Sequence, residues 1–146
     1  MEEKLTRRES RENAFMLAFA ATFDDRPLDE LLAENREDGE HAVDAFGEQM
    51  LRDYYEHSAE VDDLISARLR NWTMKRLPRV TLAVLRLAVA EIVFGREHKT
   101  SVAINEAVEI SKKYGAADDY QFVNGLLGSV ARDLGLADSP AEEKQS

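Results

Sequence analysis

The 146-residue sequence predicts an all-α fold of about seven helices. Three observations carry this. Apolar residues recur at three- and four-residue spacing almost throughout, and strict apolar–polar alternation is missing. Only three prolines and seven glycines are present, so long helices are permitted. Hydrophobic residues make up 44% and charged residues 33%, the balance of a folded globular chain rather than a disordered one. The length suits one domain, or two small helical sub-bundles sharing a core.

The first helix is expected to start near Thr6, a good N-cap with Glu9 at the capping-box spacing. Its apolar residues are Ala14, Phe15, Ala18 and Phe19, and Arg7, Arg8 and Arg11 precede them on the same side. Asp24-Asp25-Arg26-Pro27 breaks it. A short helix at about Leu28–Ala33 and an acidic loop over Glu34–Glu40, with Gly39, follow. A third helix is expected from about His41 to His57, with Val43, Phe46, Met50 and Tyr54 as its inner stripe. A fourth starts near Ser58 and includes Val61, Leu64, Ile65, Leu69 and Trp72. A basic connection, Lys75, Arg76, Pro78 and Arg79, leads to the fifth, with Pro78 suited to a first turn. That helix, Val80–Phe94, is apolar nearly all round, as expected of a helix surrounded by others. Gly95 is expected to end it at the position after the C-cap. The sixth starts at Thr100 or Ser101 as N-cap and packs Ala103, Ala107, Ile110 and Tyr114 inward, with Gly115 as its cap. The seventh starts near Asp118 and buries Val123, Leu126, Leu127, Val130 and Leu134. Residues 1–136 are read as the domain and 137–146 as a polar, frayed tail.

Composition excludes several functions. With no cysteine there is no disulfide, thiolate-bound zinc or thiol catalysis, which fits a reducing compartment. No apolar run approaches the ~20 residues of a membrane span, and the charged N-terminus lacks a signal-peptide core, so a cytoplasmic location is expected. There is no phosphate-binding glycine loop and no HExxH motif. His41 and His57 each follow an aspartate at helical spacing, yet the glutamate and histidine set of a di-metal bundle is missing. No enzyme activity, metal or cofactor is expected. The net charge of −10 argues at first against nucleic acid. Its distribution is uneven: residues 24–63 carry three basic and fifteen acidic side chains, whereas residues 64–113 carry ten basic and four acidic ones. Screening limits charge effects to roughly 8 Å at physiological salt, so a basic patch can still hold an anion. Affinity for RNA alone should be modest and salt-sensitive.

The stretch Val102-Ala-Ile-Asn-Glu-Ala-Val-Glu-Ile-Ser-Lys-Lys-Tyr-Gly115 resembles the most distinctive block of the NusB family. Phe122-Val-Asn-Gly-Leu-Leu127 resembles the family's second signature, at the right distance. Arg79-Val80, Val84-Leu85-Arg86, Ala88 and Glu91 match its central helix, and Arg7-Arg8-Glu9-Ser10-Arg11-Glu12-Asn13-Ala14 its arginine-rich start. The resemblance runs over about residues 6–132. It implies two roughly perpendicular helical sub-bundles sharing one core. It also implies binding to the boxA RNA of ribosomal transcripts, and pairing with NusE, a small-subunit ribosomal protein. Both belong to an RNA polymerase complex that reads through terminators, and some members form homodimers. The alternatives are a helical interaction module without RNA binding, or a relative of the RNA-binding domain of rRNA cytosine methyltransferases.

The candidate RNA residues are Arg7, Arg8, Arg11, Lys112, Lys113, Asp118, Gln121, Phe122 and Asn124. Arginine offers a fixed fork of donors suited to phosphate, although paired, solvated arginines, for example Arg8 with Glu12, are the plainer reading. Phe122, at the edge of its helix's apolar stripe, either stacks on an unpaired base or is a half-buried core aromatic. Gln121 and Asn124 can read base edges, whereas Asp118 is also a good N-cap. Lys112 and Lys113 either neutralise phosphate or complement a helix C-terminus. Candidate partner contacts are Phe19, Thr81, Asn105 and Glu106; by residue type alone Phe19, like Phe15, Phe46, Trp72 and Tyr114, is more often core.

Overall fold

The computed structural model, described over residues 4–137, holds seven α-helices and one 3₁₀ turn, with no strand among the described residues. The first helix, α1 (Arg7–Ala21), begins as its capping box dictates. Thr6 Oγ1 accepts from the Glu9 amide at 3.0 Å, and Glu9 Oε1 accepts from the Thr6 amide at 2.9 Å. These bonds satisfy two of the orphan donors of a helix start. Thr6→Ala should cost about 1 kcal/mol in urea unfolding, and a loss below a few tenths would show that the cap is not used.

α2 (Leu28–Asp38) is longer than expected: the acidic stretch continues the helix instead of forming a loop. Its charges point to solvent or pair across elements, as Arg36 does with Glu48 of the next helix. It stops where Gly39 turns left-handed, at φ 79°. Asn35 then clamps the connection, donating to the His41 carbonyl at 3.2 Å and accepting from the Val43 amide at 2.9 Å. His41 is itself left-handed, at φ 54°, so the next helix cannot start there. α3 (Ala45–Glu56) starts instead after Asp44, which accepts from the Gly47 amide and from Ser10 Oγ. Val43 and Met50 are buried as expected, while Phe46 and Tyr54 are half-buried and Leu51 lies in the core.

α4 (Ser58–Ser66) is shorter than its apolar pattern suggests. Leu69 still reaches the core from a turn, but Asn71 is left-handed and Trp72 is 57% exposed. After the 3₁₀ turn Met74–Arg76, Pro78 precedes α5 (Arg79–Phe94). α5 is buried along nearly its whole length and touches α1, α3, α4 and the two helices that follow it, α6 (Thr100–Tyr114) and α7 (Asp119–Asp133). It is the shared wall of two sub-bundles, α1–α2–α3 and α4–α5–α6–α7. Gly95 ends it in extended backbone rather than left-handed, where a Cβ would collide with the Glu91 carbonyl.

α6 (Thr100–Tyr114) has Lys99 at its N-cap position, without a side-chain cap. Thr100 is inside the helix and buried, donating to the Leu136 carbonyl at 2.7 Å, which fastens the chain after α7 to the start of α6. α7 (Asp119–Asp133) packs on α5 and α6 with Val123, Leu126, Leu127 and Val130, whereas Leu134 lies past its end, exposed. The expected tail, apart from Ala137, lies outside the described residues. No helix among the described residues is long and apolar enough to cross a membrane.

Candidate nucleic-acid interface

Three helix ends meet on one side of the molecule: the start of α1, the end of α6 and the start of α7. α6 packs on both other helices, which sets this meeting. Lys112 and Lys113 complement the carbonyl end of α6. Lys112 Nζ lies 4.9 Å from the centre of the Tyr120 ring at the start of α7, and Lys113 Nζ lies 2.6 Å from Glu12 on α1. An open groove lined by Arg8, Glu12, Glu106, Glu109, Lys112 and Lys113 runs between α1 and α6.

The exposed bases of this surface are held by acids of the surface itself. Arg8 donates to both carboxylate oxygens of Glu106, at 3.0 and 3.1 Å. Hydrogen bonding to Glu106, then its charge, holds the Arg8 guanidinium above its ordinary value. Arg7 reaches Glu97 at 3.2 Å, with its guanidinium carbon 4.0 Å from the Phe46 ring centre. Burial works to raise the Glu12 carboxyl, but hydrogen bonds from Lys113 and Tyr114 outweigh it and hold it below the ordinary carboxylate value. Anionic phosphate must therefore compete with these acids for the bases.

Arg11 stands apart from Arg7 and Arg8. Its side chain is 6% exposed and grips Glu91 of α5 at 3.1 and 2.7 Å. It faces the core seam between α1 and α5, not solvent. Beyond the groove, Asp118, Gln121, Phe122 and Asn124 are all exposed along the start of α7, and Phe122 is 41% exposed. Asp118 makes no capping hydrogen bond, and Asp119, the first residue of α7, reaches back to accept from the Ala116 amide of the connection at 3.0 Å.

The candidate partner residues are not gathered in one patch. Asn105 is exposed, and Glu106 is held by Arg8. Thr81 is buried, its Oγ1 3.4 Å from Asp119 Oδ2. Phe19, half-buried near the far end of α1, meets Phe23 edge-to-face at 5.6 Å. Phe23 is 67% exposed, under the guanidinium of Arg79 at 5.2 Å. Sequence reasoning missed Phe23, although it lies one turn beyond Phe19 on the same stripe. The pair read from spacing, Arg8 with Glu12, is not formed: Arg8 takes Glu106 and Glu12 takes Lys113 and Tyr114. Glu91 and Tyr120 were given no site role by the sequence, because their partners lie on other helices.

Comparison with known proteins fits this arrangement. The family model described as "NusB family" matches residues 8–132. The transcription antitermination protein NusB of Geobacter sulfurreducens is 35% identical over 131 residues, covering 88% of this chain and 95% of that one. The solved structure of T. maritima NusB superposes with a TM-score of 0.78 at 32% identity, covering 99% of this chain and 100% of that one. A structure described as antitermination factors NusB and NusE in complex with dsRNA gives a TM-score of 0.77 at 26% identity, covering 87% and 96%. With its helix order, its paired signatures in α6 and α7, and these matches over nearly its whole length, the chain belongs to the NusB family.

Proposed function

We propose that this chain is a cytoplasmic transcription antitermination factor, an adaptor rather than an enzyme, with residues 1–136 as its RNA-binding domain. In this reading it binds boxA-type RNA of ribosomal transcripts jointly with NusE. The observation that carries the reading is an open groove edged by exposed Arg8, Lys112 and Lys113, with Arg7 exposed beside Arg8 on α1 and an exposed aromatic, Phe122, on α7, the helix that follows the two lysines. Bases follow a phosphate backbone while aromatic and amide side chains take unpaired bases. Asp118, Gln121 and Asn124 line the approach to Phe122 on α7. Arg11 serves the site by seating α1 on α5, not by touching RNA. Because acids of the same surface hold the bases, RNA alone should bind modestly, and a relative seen with both NusE and RNA supports joint binding.

A gel-shift titration of boxA RNA with and without NusE, at two salt concentrations, tests this. Affinity should rise when NusE is added and fall with salt. Binding that NusE leaves unchanged would favour a helical interaction module instead. Within the same assay Phe122→Ala should cost about 1–3 kcal/mol of RNA affinity and leave thermal stability nearly unchanged. Unaltered RNA binding by that variant would assign Phe122 to packing alone.

A further inference from the structure

A second groove opens on the other side of Glu12 and Lys113. It lies between the start of α1 and the α2–α3 connection, and it is lined by Lys4, Arg7, Asn13, His41, Phe46 and Lys113, among others. Glu12 and Lys113 border both grooves, so the two are continuous. We propose that this second groove is a further nucleotide subsite of the same RNA strand, one that runs on from the α6–α7 surface past Lys113 to His41. The proposal rests on the RNA reading above.

Three features support it. First, the groove's wall is built and held. The Asn35 clamp fixes the connection through His41 and Val43, and the Asn13 amide donates to the Ala42 carbonyl at 3.2 Å. Gly39 and His41 both take left-handed backbone, which turns the connection sharply back toward α1. Second, the acids of the groove are already engaged. Glu9 closes the Thr6 capping box, Glu12 takes Lys113 and Tyr114, and Asp44 takes Ser10 and the Gly47 amide. Lys4 and His41, by contrast, are exposed and make no ion pair with a described residue, so the Lys4 ammonium can meet a phosphate and the His41 ring can hydrogen-bond one. Third, the groove offers a flat surface for a base. One face of the Arg7 guanidinium lies over Phe46, and the side chain is 58% exposed. Guanidinium planes stack unpaired bases as aromatic rings do.

The test compares boxA RNA with the same RNA lengthened by three nucleotides at the 5′ or the 3′ end. Variants are Lys4→Ala and His41→Gly, glycine being chosen because it keeps the left-handed backbone. The wild-type chain should bind one of the lengthened RNAs more tightly, by about fivefold for each phosphate engaged near 0.1 M salt. Lys4→Ala should lose about that gain and His41→Gly a smaller part of it, while both bind the short RNA as the wild type does. Equal affinity for short and lengthened RNA in the wild type overturns the subsite, and so does a gain that survives both substitutions. If none of the RNAs binds, with or without NusE, the RNA reading fails and the subsite falls with it.

Discussion

Arg11→Ala should destabilise the protein by about 3–5 kcal/mol, with Glu91 left as a carboxylate deprived of its partner in the seam between α1 and α5. The reason is asymmetry. A paired charge inside a protein contributes little net stability, because desolvation offsets the attraction. Removing one partner leaves the full desolvation penalty of the other. Arg11 shows this balance: burial opposes its charge, but hydrogen bonding and the field of Glu91 hold its guanidinium above the ordinary value. A domain of this size has about 5–15 kcal/mol of total stability, so the variant should sit near the edge of folding. Its melting temperature should drop by roughly 2–4 °C for each kcal/mol lost. A double variant, Arg11→Met with Glu91→Met, should recover most of the loss, since an apolar pair of similar volume suits the seam. Urea unfolding of the single and double variants checks both statements. A single variant within about 1 kcal/mol of wild type would show that Arg11 is solvated in solution. The same argument fixes how RNA contacts should be tested. Substituting Arg7, Arg8 and Arg11 together would confuse lost phosphate contacts with lost folding.

Arg8, Lys112 and Lys113 replaced together by alanine should weaken RNA binding about a hundredfold near 0.1 M salt. Three phosphate contacts to a single strand account for that figure, and the slope of log affinity against log salt should shrink by about 2. Thermal stability should barely move, because all three side chains are exposed and surface pairs contribute little. The acids left behind, Glu12, Glu106 and Glu109, then repel phosphate, which adds to the loss at low salt. Glu106→Gln should act in the opposite direction. It frees Arg8 from a bidentate grip and removes a negative charge, so RNA affinity should rise a few-fold and the gain should fade as salt increases. Titrations at two or more salt concentrations separate these effects. An unchanged salt slope in the triple variant would remove this surface as the phosphate track.

Much of the helix pattern was legible because its signals are local. Thr6 and Glu9 are three residues apart and form the box that their spacing announces. The apolar run of α5 marks it as the central helix before any contact is known, and five helices pack against it. Boundaries fared worse where a local signal competed with a distant one. The acidic stretch after Ala33 reads as a loop by charge, yet it stays helical because Asn35 and Arg36 find partners beyond Gly39. Trp72 reads as core by residue type, yet a left-handed Asn71 turns the chain before it can be buried. Thr100 reads as an N-cap, but its hydroxyl is taken by the Leu136 carbonyl, 36 residues away in sequence.

The site divides in the same way. The all-helical class, the central helix, the family signatures in α6 and α7 and the basic clusters within an acidic whole could all be read from the chain alone. Each of these depends on spacing within one helix or on residue type. Which charge meets which is set by the packing of the helices. Arg8 and Glu106 are 98 residues apart, Arg11 and Glu91 are 80 apart, and Lys113 and Glu12 are 101 apart. Helical periodicity states which side of its own helix a residue occupies. It does not state which turn of another helix lies opposite, because that depends on how the helices pack around α5. For that reason three arginines that look alike in the first helix have different environments: Arg11 is a buried strut, Arg8 a base held in reserve by an acid, and Arg7 a flat cation on a ring beside an open groove.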